Sequence, residues 1–171
     1  MSLIVEDGTV VASAESYCSV SAADAYWLAR GNPSSWSAAT TTAKEVALRL
    51  ATEYLDAVYG PRWLGDRFDD DQVLDWPRED VEVDGVSLEE TPLPTNLIKA
   101  TAELAYRQLT ETGGILPDVA DTGTITSQSV SAGAVSKSTS WANGKGKFKR
   151  FSKVEELLKR LLIPGTQAVR S

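Results

Sequence analysis

The chain has 171 residues, 42% of them apolar, and a formal net charge of -7; that allows one compact core but argues against a surface that grips nucleic acid nonspecifically all over. It contains no histidine and a single cysteine, Cys18, so Ser-His-Asp and Cys-His catalysis, an intrachain disulfide and a Cys-built metal site are beyond its means. Five tryptophans mark a sequence that folds, because a disordered chain seldom carries such anchors.

Leu3 to Ala12 reads as an extended segment with a turn at Asp7-Gly8. A short helix opens at Ser21, with Asp24 as its capping-box acid, carries Tyr26 and Trp27, and stops at Gly31. A second helix opens on the capping box Thr42 to Glu45. Its stripe is Val46, Leu50, Tyr54 and Val58, with Ala47, Ala51 and Leu55 beside it, and Gly60-Pro61 ends it after about 24 Å. Arg62 to Pro94 follows as a long polar loop holding Trp63 and Trp76-Pro77-Arg78, with a β-turn at Asp84-Gly85 between Val81/Val83 and Val86/Leu88. A loop of that length in a small domain points to a functional segment or one shaped by a partner.

After Pro94 a third helix buries Leu97, Ile98, Ala102, Ala105 and Leu109, with Leu104 at its edge, and ends at Gly113-Gly114. Its alanines let a neighbouring helix come close. Gly123 to Trp141 is rich in Ser, Thr, Ala and Gly and reads as a thin β-hairpin, too poor in large apolar groups to bury much alone. It is open to pairing with a neighbouring chain. Ser152 to Glu155 is a capping box for a last helix, with Val154, Leu157, Leu158, Leu161 and Leu162 on one side and Pro164 at its end. The expected architecture is therefore mainly α: a small helical bundle (about 21–112 and 152–163) with a long irregular loop (62–94) and a β-hairpin extension (123–150), in one domain.

Charge is divided along the chain. From Asp66 to Glu90 there are eleven acids against Arg67 and Arg78; from Lys145 to Arg170 there are eight bases against Glu155 and Glu156. Such blocks are either solvated faces or complementary surfaces between neighbouring chains. Asp69-Asp70-Asp71 with Asp75 lacks the alternate acids, central glycine and distal glutamate of a calcium loop, so a solvated loop is the better reading. Gly144-Lys145-Gly146-Lys147 lacks the frame of a phosphate loop. The run Lys145, Lys147, Phe148, Lys149, Arg150, Phe151 alternates charge with aromatics, a pattern that binds single-stranded nucleic acid; it reads equally as a strand that takes Phe148 and Phe151 into the core, and that reading is preferred. No cofactor and no metal is expected. No apolar run reaches the ~18 residues of a bilayer span, and the N-terminus lacks a signal peptide's basic start, so a cytoplasmic protein is expected.

Taken in order, Ser16 to Tyr26, Ala51 to Asp56, Leu74-Asp75-Trp76-Pro77-Arg78, Pro94 to Ala105, the Ser/Ala/Gly-rich stretch and the closing Phe151 to Leu162 helix form a recognisable set. It resembles the head–tail connector (adaptor) proteins of tailed bacteriophages, and is similar to a phage family labelled DnaT-like and single-stranded-DNA-binding. The resemblance implies a non-enzymatic virion subunit that forms a homo-oligomeric ring, often of twelve copies. Such a ring binds the portal on one side and a neck or tail protein on the other, and extends the channel through which DNA passes without sequence-specific contact. It would be assembled in the host cytoplasm, with no membrane partner. Candidate protein-interface residues are Trp63, Trp76, Arg78, Val130, Val135, Trp141, Lys147, Arg150 and Arg170. The alternative, a single-stranded-DNA-binding accessory protein of phage replication, would rest on Lys145, Lys147, Phe148, Lys149 and Arg150.

Overall fold

The computed structural model describes residues 2–116, 125–131, 136–141 and 150–164, with 125–131 and 136–141 as backbone. The chain divides into two compact units, Met1–Ile115 with Arg150–Ser171, and Leu116–Lys149. Among the described residues the architecture is mainly α, with five helices and small antiparallel ladders.

The N-terminal segment folds around one buried carboxylate. Glu6, 4% exposed, accepts the backbone N–H groups of Gly8 (2.9 Å), Val10 (3.1 Å) and Val11 (2.9 Å), which supplies the hydrogen bonds that a buried charge requires. Its own N–H bonds the Ser16 carbonyl, so Val5 lies alongside Ser16. Helix α1 (Val20–Leu28) begins earlier than expected, because Ser19 and not Ser21 caps it, accepting the Ala22 N–H at 3.1 Å. A one-turn helix, α2 (Ser34–Ser37), gave no periodic signal; it follows Pro33 and buries Trp36, whose indole N–H donates to Asp24 at 2.8 Å.

Helix α3 (Thr41–Tyr59) is capped by Thr40, two residues ahead of the expected box. Its buried face is Ala47, Leu48, Ala51, Thr52, Tyr54, Leu55 and Tyr59, so the stripe is rotated from the expected one and Val46 is left 47% exposed. The rotation follows from what surrounds α3: α4 on one side, α1 on another, and Tyr17 of the N-terminal segment bonding Thr52. Helix α4 (Thr95–Thr110) is the centre of the bundle. Every residue from Ala100 to Ala105 is buried, because α1, α2, α3 and α5 all pack on it and its small side chains let them approach. Helix α5 (Ser152–Leu158) is shorter than the expected 152–163 and carries no side-chain cap. Leu161 and Leu162 are buried beyond its end, where residues 161–163 run antiparallel to 62–64: the Leu64 N–H bonds the Leu161 carbonyl (3.0 Å) and the Ile163 N–H bonds the Arg62 carbonyl (2.7 Å).

The central helix also buries a charge. Glu103, 2% exposed, accepts the Tyr26 hydroxyl at 2.5 Å and pairs with the Lys153 ammonium, tying α1 and α5 to α4. Lys153→Ala strands that carboxylate with one partner fewer. Because the Lys153 side chain is itself 54% exposed, solvent already screens the pair and the expected cost is about 1–2 kcal/mol. Lys159→Ala breaks a pair exposed on both sides, with Glu156, and should cost under about 0.5 kcal/mol. Urea unfolding of the two variants side by side checks the contrast.

The long loop is organised by two ladders. Strand β1 (Asp66–Arg67) pairs with β2 (Arg78–Glu79), and β3 (Glu82–Val83) with β4 (Val86–Ser87). The second is the expected hairpin: Asp84 (φ 54) and Gly85 (φ 81) both take the left-handed conformation of a type I′ turn. In the other unit β5 (Ile125–Ser131) pairs antiparallel with β6 (Ser136–Trp141), in one register from Ser131↔Ser136 to Ser127↔Ser140 and shifted at Ile125↔Trp141, which is the expected thin hairpin. No described helix is long and apolar enough to cross a membrane.

Candidate binding surface

Two aromatic residues expected at an interface are core residues of the monomer. Trp63 and Trp76 are each 2% exposed. They belong to a run of rings, Phe151–Tyr54–Tyr59–Trp63–Trp76, with successive centroids 5.6, 6.3, 5.9 and 5.8 Å apart. Their burial has a plain cause. The 62–64 backbone is stitched to 161–163, and Gly65 turns the chain at φ 68, where a side chain would collide with the Glu79 carbonyl. The indole is thereby aimed inward. Phe151 is 8% exposed against Tyr54, which agrees with the core reading of that residue and removes it from any base-stacking platform.

Arg78 also turns inward. Its guanidinium donates to three backbone carbonyls, Leu64 (2.8 Å), Gly65 (2.6 Å) and Asp75 (3.3 Å). It therefore staples the loop to the 62–65 turn. Gln72 does the same at the acidic tip, donating to the carbonyls of Leu74 and Pro77 and accepting from the Asp69 N–H. Beneath the loop, the Tyr17 hydroxyl donates to the Asp56 carboxylate at 2.6 Å and accepts the Trp76 N–H at 3.2 Å. Desolvation, reinforced by the Asp75 charge, raises the Asp56 carboxyl to about 7, and burial beside Asp56 raises the Tyr17 phenol well above its usual range. Nothing in the sequence links Tyr17, Asp56 and Asp75; only the fold brings them together.

What the loop leaves outside is its charge. Asp69, Asp70 and Asp71 are exposed, and the Asp69 carboxylate accepts the Asp71 N–H at 2.8 Å, as the solvated reading expects. Among the described residues no three His, Cys, Asp or Glu side chains gather into a group able to hold a metal ion.

The opposite charge collects where α5 meets the turn after α3. A pocket of about 240 Å³ there is lined by Tyr59, Arg62, Arg150, Glu155, Glu156 and Lys159, closed by Leu162 to Pro164. Arg150 bridges to Glu155 at 3.2 Å and Lys159 to Glu156 at 2.8 Å, both on the surface. Arg62 has no carboxylate partner among the described residues. The pocket is a partly neutralised basic patch around Arg62, Arg150 and Lys159, suited to charge-assisted contacts with an acidic surface or a phosphate chain. Of the residues expected at interfaces, Arg150 alone is placed here. Val130 and Trp141 lie on the hairpin of the other unit, opposite Lys137 and Ile125. Lys145, Lys147, Phe148, Lys149, Val135 and Arg170 fall outside the described residues.

Comparison with known proteins gives one family. No curated protein and no solved structure matches the chain. Residues 1–171, the whole chain, match the family described as "Putative DnaT-like ssDNA binding protein", and the protein belongs to that family.

Proposed function

We propose that this chain is a non-catalytic assembly subunit, a head-to-tail connector (adaptor) of a phage virion that joins the portal to the neck or tail as a homo-oligomeric ring. The observation that carries the reading is the division of charge. Of 24 acids and 17 bases, two acids and four bases fall in Leu116–Lys149. That unit therefore carries a net +2, and the helical unit, completed by Arg150–Ser171, a net -9. An acidic body repels phosphate, which suits a wall past which DNA slides better than a surface that holds it. An exposed acidic loop and basic surface groups on one chain are complementary in the way that joins like chains head to tail. Electron microscopy of the protein mixed with portal-bearing heads should show added density at the portal vertex. A protein that stays monomeric and never joins such particles overturns the reading.

The family match supports a second reading more directly than the first: binding of single-stranded DNA in phage replication. Its physical support is the basic run Lys145 to Arg150, of which Arg150 lines the pocket with Arg62 and Lys159. This reading expects oligo-dT binding, followed by fluorescence anisotropy, that weakens about tenfold or more between 50 and 200 mM salt and falls further in Lys147→Glu. Absence of binding at low salt removes it, and binding that survives in the face of strong salt would not be the phosphate contact it requires.

A further inference from the structure

We propose that the groove between α1 and α4 receives the Phe68 loop of a second copy of this chain, a contact that rests on the ring reading above and names its surfaces. The groove encloses about 320 Å³. Ala22, Ala25, Ile98 and Ala102 form its apolar floor, and Tyr26 is one wall. Arg30 and Lys99 flank it. The Arg30 guanidinium stacks 3.8 Å over the Tyr26 ring and donates to the Tyr26 carbonyl. Neither Arg30 nor Lys99 has a carboxylate partner among the described residues, although acids outnumber bases 24 to 17 in the chain. Two cations with no carboxylate partner among the described residues, beside an apolar hollow, call for a large apolar side chain with acids next to it.

The chain itself offers that combination. Phe68 is 46% exposed, a poor place for an aromatic ring on a monomer, and it is followed directly by Asp69, Asp70 and Asp71, all exposed. The loop is already shaped for presentation. The Phe68 N–H bonds the Pro77 carbonyl at 3.4 Å, Arg67 bonds the Gln72 carbonyl, and Gln72 fixes the Asp69 backbone, so little order has to be gained on docking. Phe68 in the alanine-floored groove would remove apolar area from water on both partners, while the three aspartates meet Arg30 and Lys99. Groove and loop are different surfaces, so the contact is heterologous and repeats around a ring where the rotation closes.

The test uses the full chain. Ala25→Cys and Phe68→Cys variants, mixed under mild oxidation, should give a crosslinked dimer absent from either variant alone; the native Cys18 is 1% exposed with its thiol pushed up to about 12 and stays out of the reaction. By sedimentation, Phe68→Asp and Lys99→Glu should each weaken self-association at least about tenfold at unchanged melting temperature, and Lys99→Glu with Asp70→Lys should recover it. Self-association that persists unchanged in Phe68→Asp and Lys99→Glu, with no mixed crosslink, overturns this contact and leaves the ring reading standing. A wild-type chain that is monomeric at every concentration overturns both.

Discussion

Replacing Trp63 with alanine is expected to lower the unfolding free energy by about 3–5 kcal/mol, read as a shifted urea midpoint at unchanged slope. The indole is 2% exposed and held between Tyr59 and Trp76, with ring centroids 5.9 and 5.8 Å away. The void left behind cannot close easily, because the residues on either side are pinned: the Arg62 carbonyl by Ile163 and the Leu64 N–H by Leu161. Trp63→Phe should cost clearly less. It keeps most of the ring contact and also deletes a buried indole N–H that has no acceptor among the described residues, a liability of about 1–3 kcal/mol in its own right. The pair of variants separates a core role from an interface role. An alanine variant that melts like wild type but no longer assembles would make Trp63 a partner's anchor instead.

That prediction turns on something the sequence does not display. Trp63 lies in a polar stretch with no apolar period around it, so its burial depends on residues 161–163, a hundred positions away, arriving to pair with 62–64. The same holds for Arg78, whose three acceptors are backbone carbonyls that only the folded turn gathers. By contrast, local signals were legible wherever the physics is local. Gly60-Pro61 ends α3, Asp84-Gly85 makes its hairpin turn, and the alanine-rich α4 lies where other helices converge. The caps of α1 and α3 are displaced by two residues because several hydroxyls stand close together, as in Ser19 and Ser21 or Thr40, Thr41 and Thr42, and which one faces the free N–H groups is decided by the incoming chain. The buried face of α3 is rotated from the expected stripe because spacing alone does not say where the neighbours lie, and this helix is wedged between the bundle and the N-terminal segment. Of the candidate surface, the division of charge was visible at once, but the pocket that joins Arg62 to Arg150 and Lys159 needed the fold.

Melting the wild-type protein across pH should show stability falling as pH rises from about 5 to about 8, the opposite of an acid-sensitive protein. Asp56 is responsible. Its carboxyl is raised from the ordinary 3.8 to about 7, first by desolvation and then by the nearby Asp75 charge, against the pull of the Tyr17 hydrogen bond. The folded state therefore holds that proton more tightly than the unfolded chain. The resulting stabilisation is complete below about pH 4 and is lost as pH climbs through about 7, at a rate approaching ~1.4 kcal/mol per pH unit. Over the window this amounts to a drop in Tm on the order of 5 °C for a domain of this size. The reading is unusually clean because the chain has no histidine, so no other side chain of ordinary pKa changes charge there, and the exposed carboxylates whose values are lowered, Asp7 and Glu15, titrate in more acidic solution. Asp56→Asn should flatten the profile between pH 5 and 8, since the amide carbonyl still accepts from Tyr17 but carries no charge to desolvate. A flat wild-type profile would mean that water reaches Asp56. Because the same carboxylate lies under the Trp76 backbone through Tyr17, and under the Asp75 N–H at 3.5 Å, its ionisation as pH passes about 7 should loosen the root of the acidic loop first. The loop that presents Phe68 and its three aspartates is thus anchored on a carboxyl whose charge changes near neutrality.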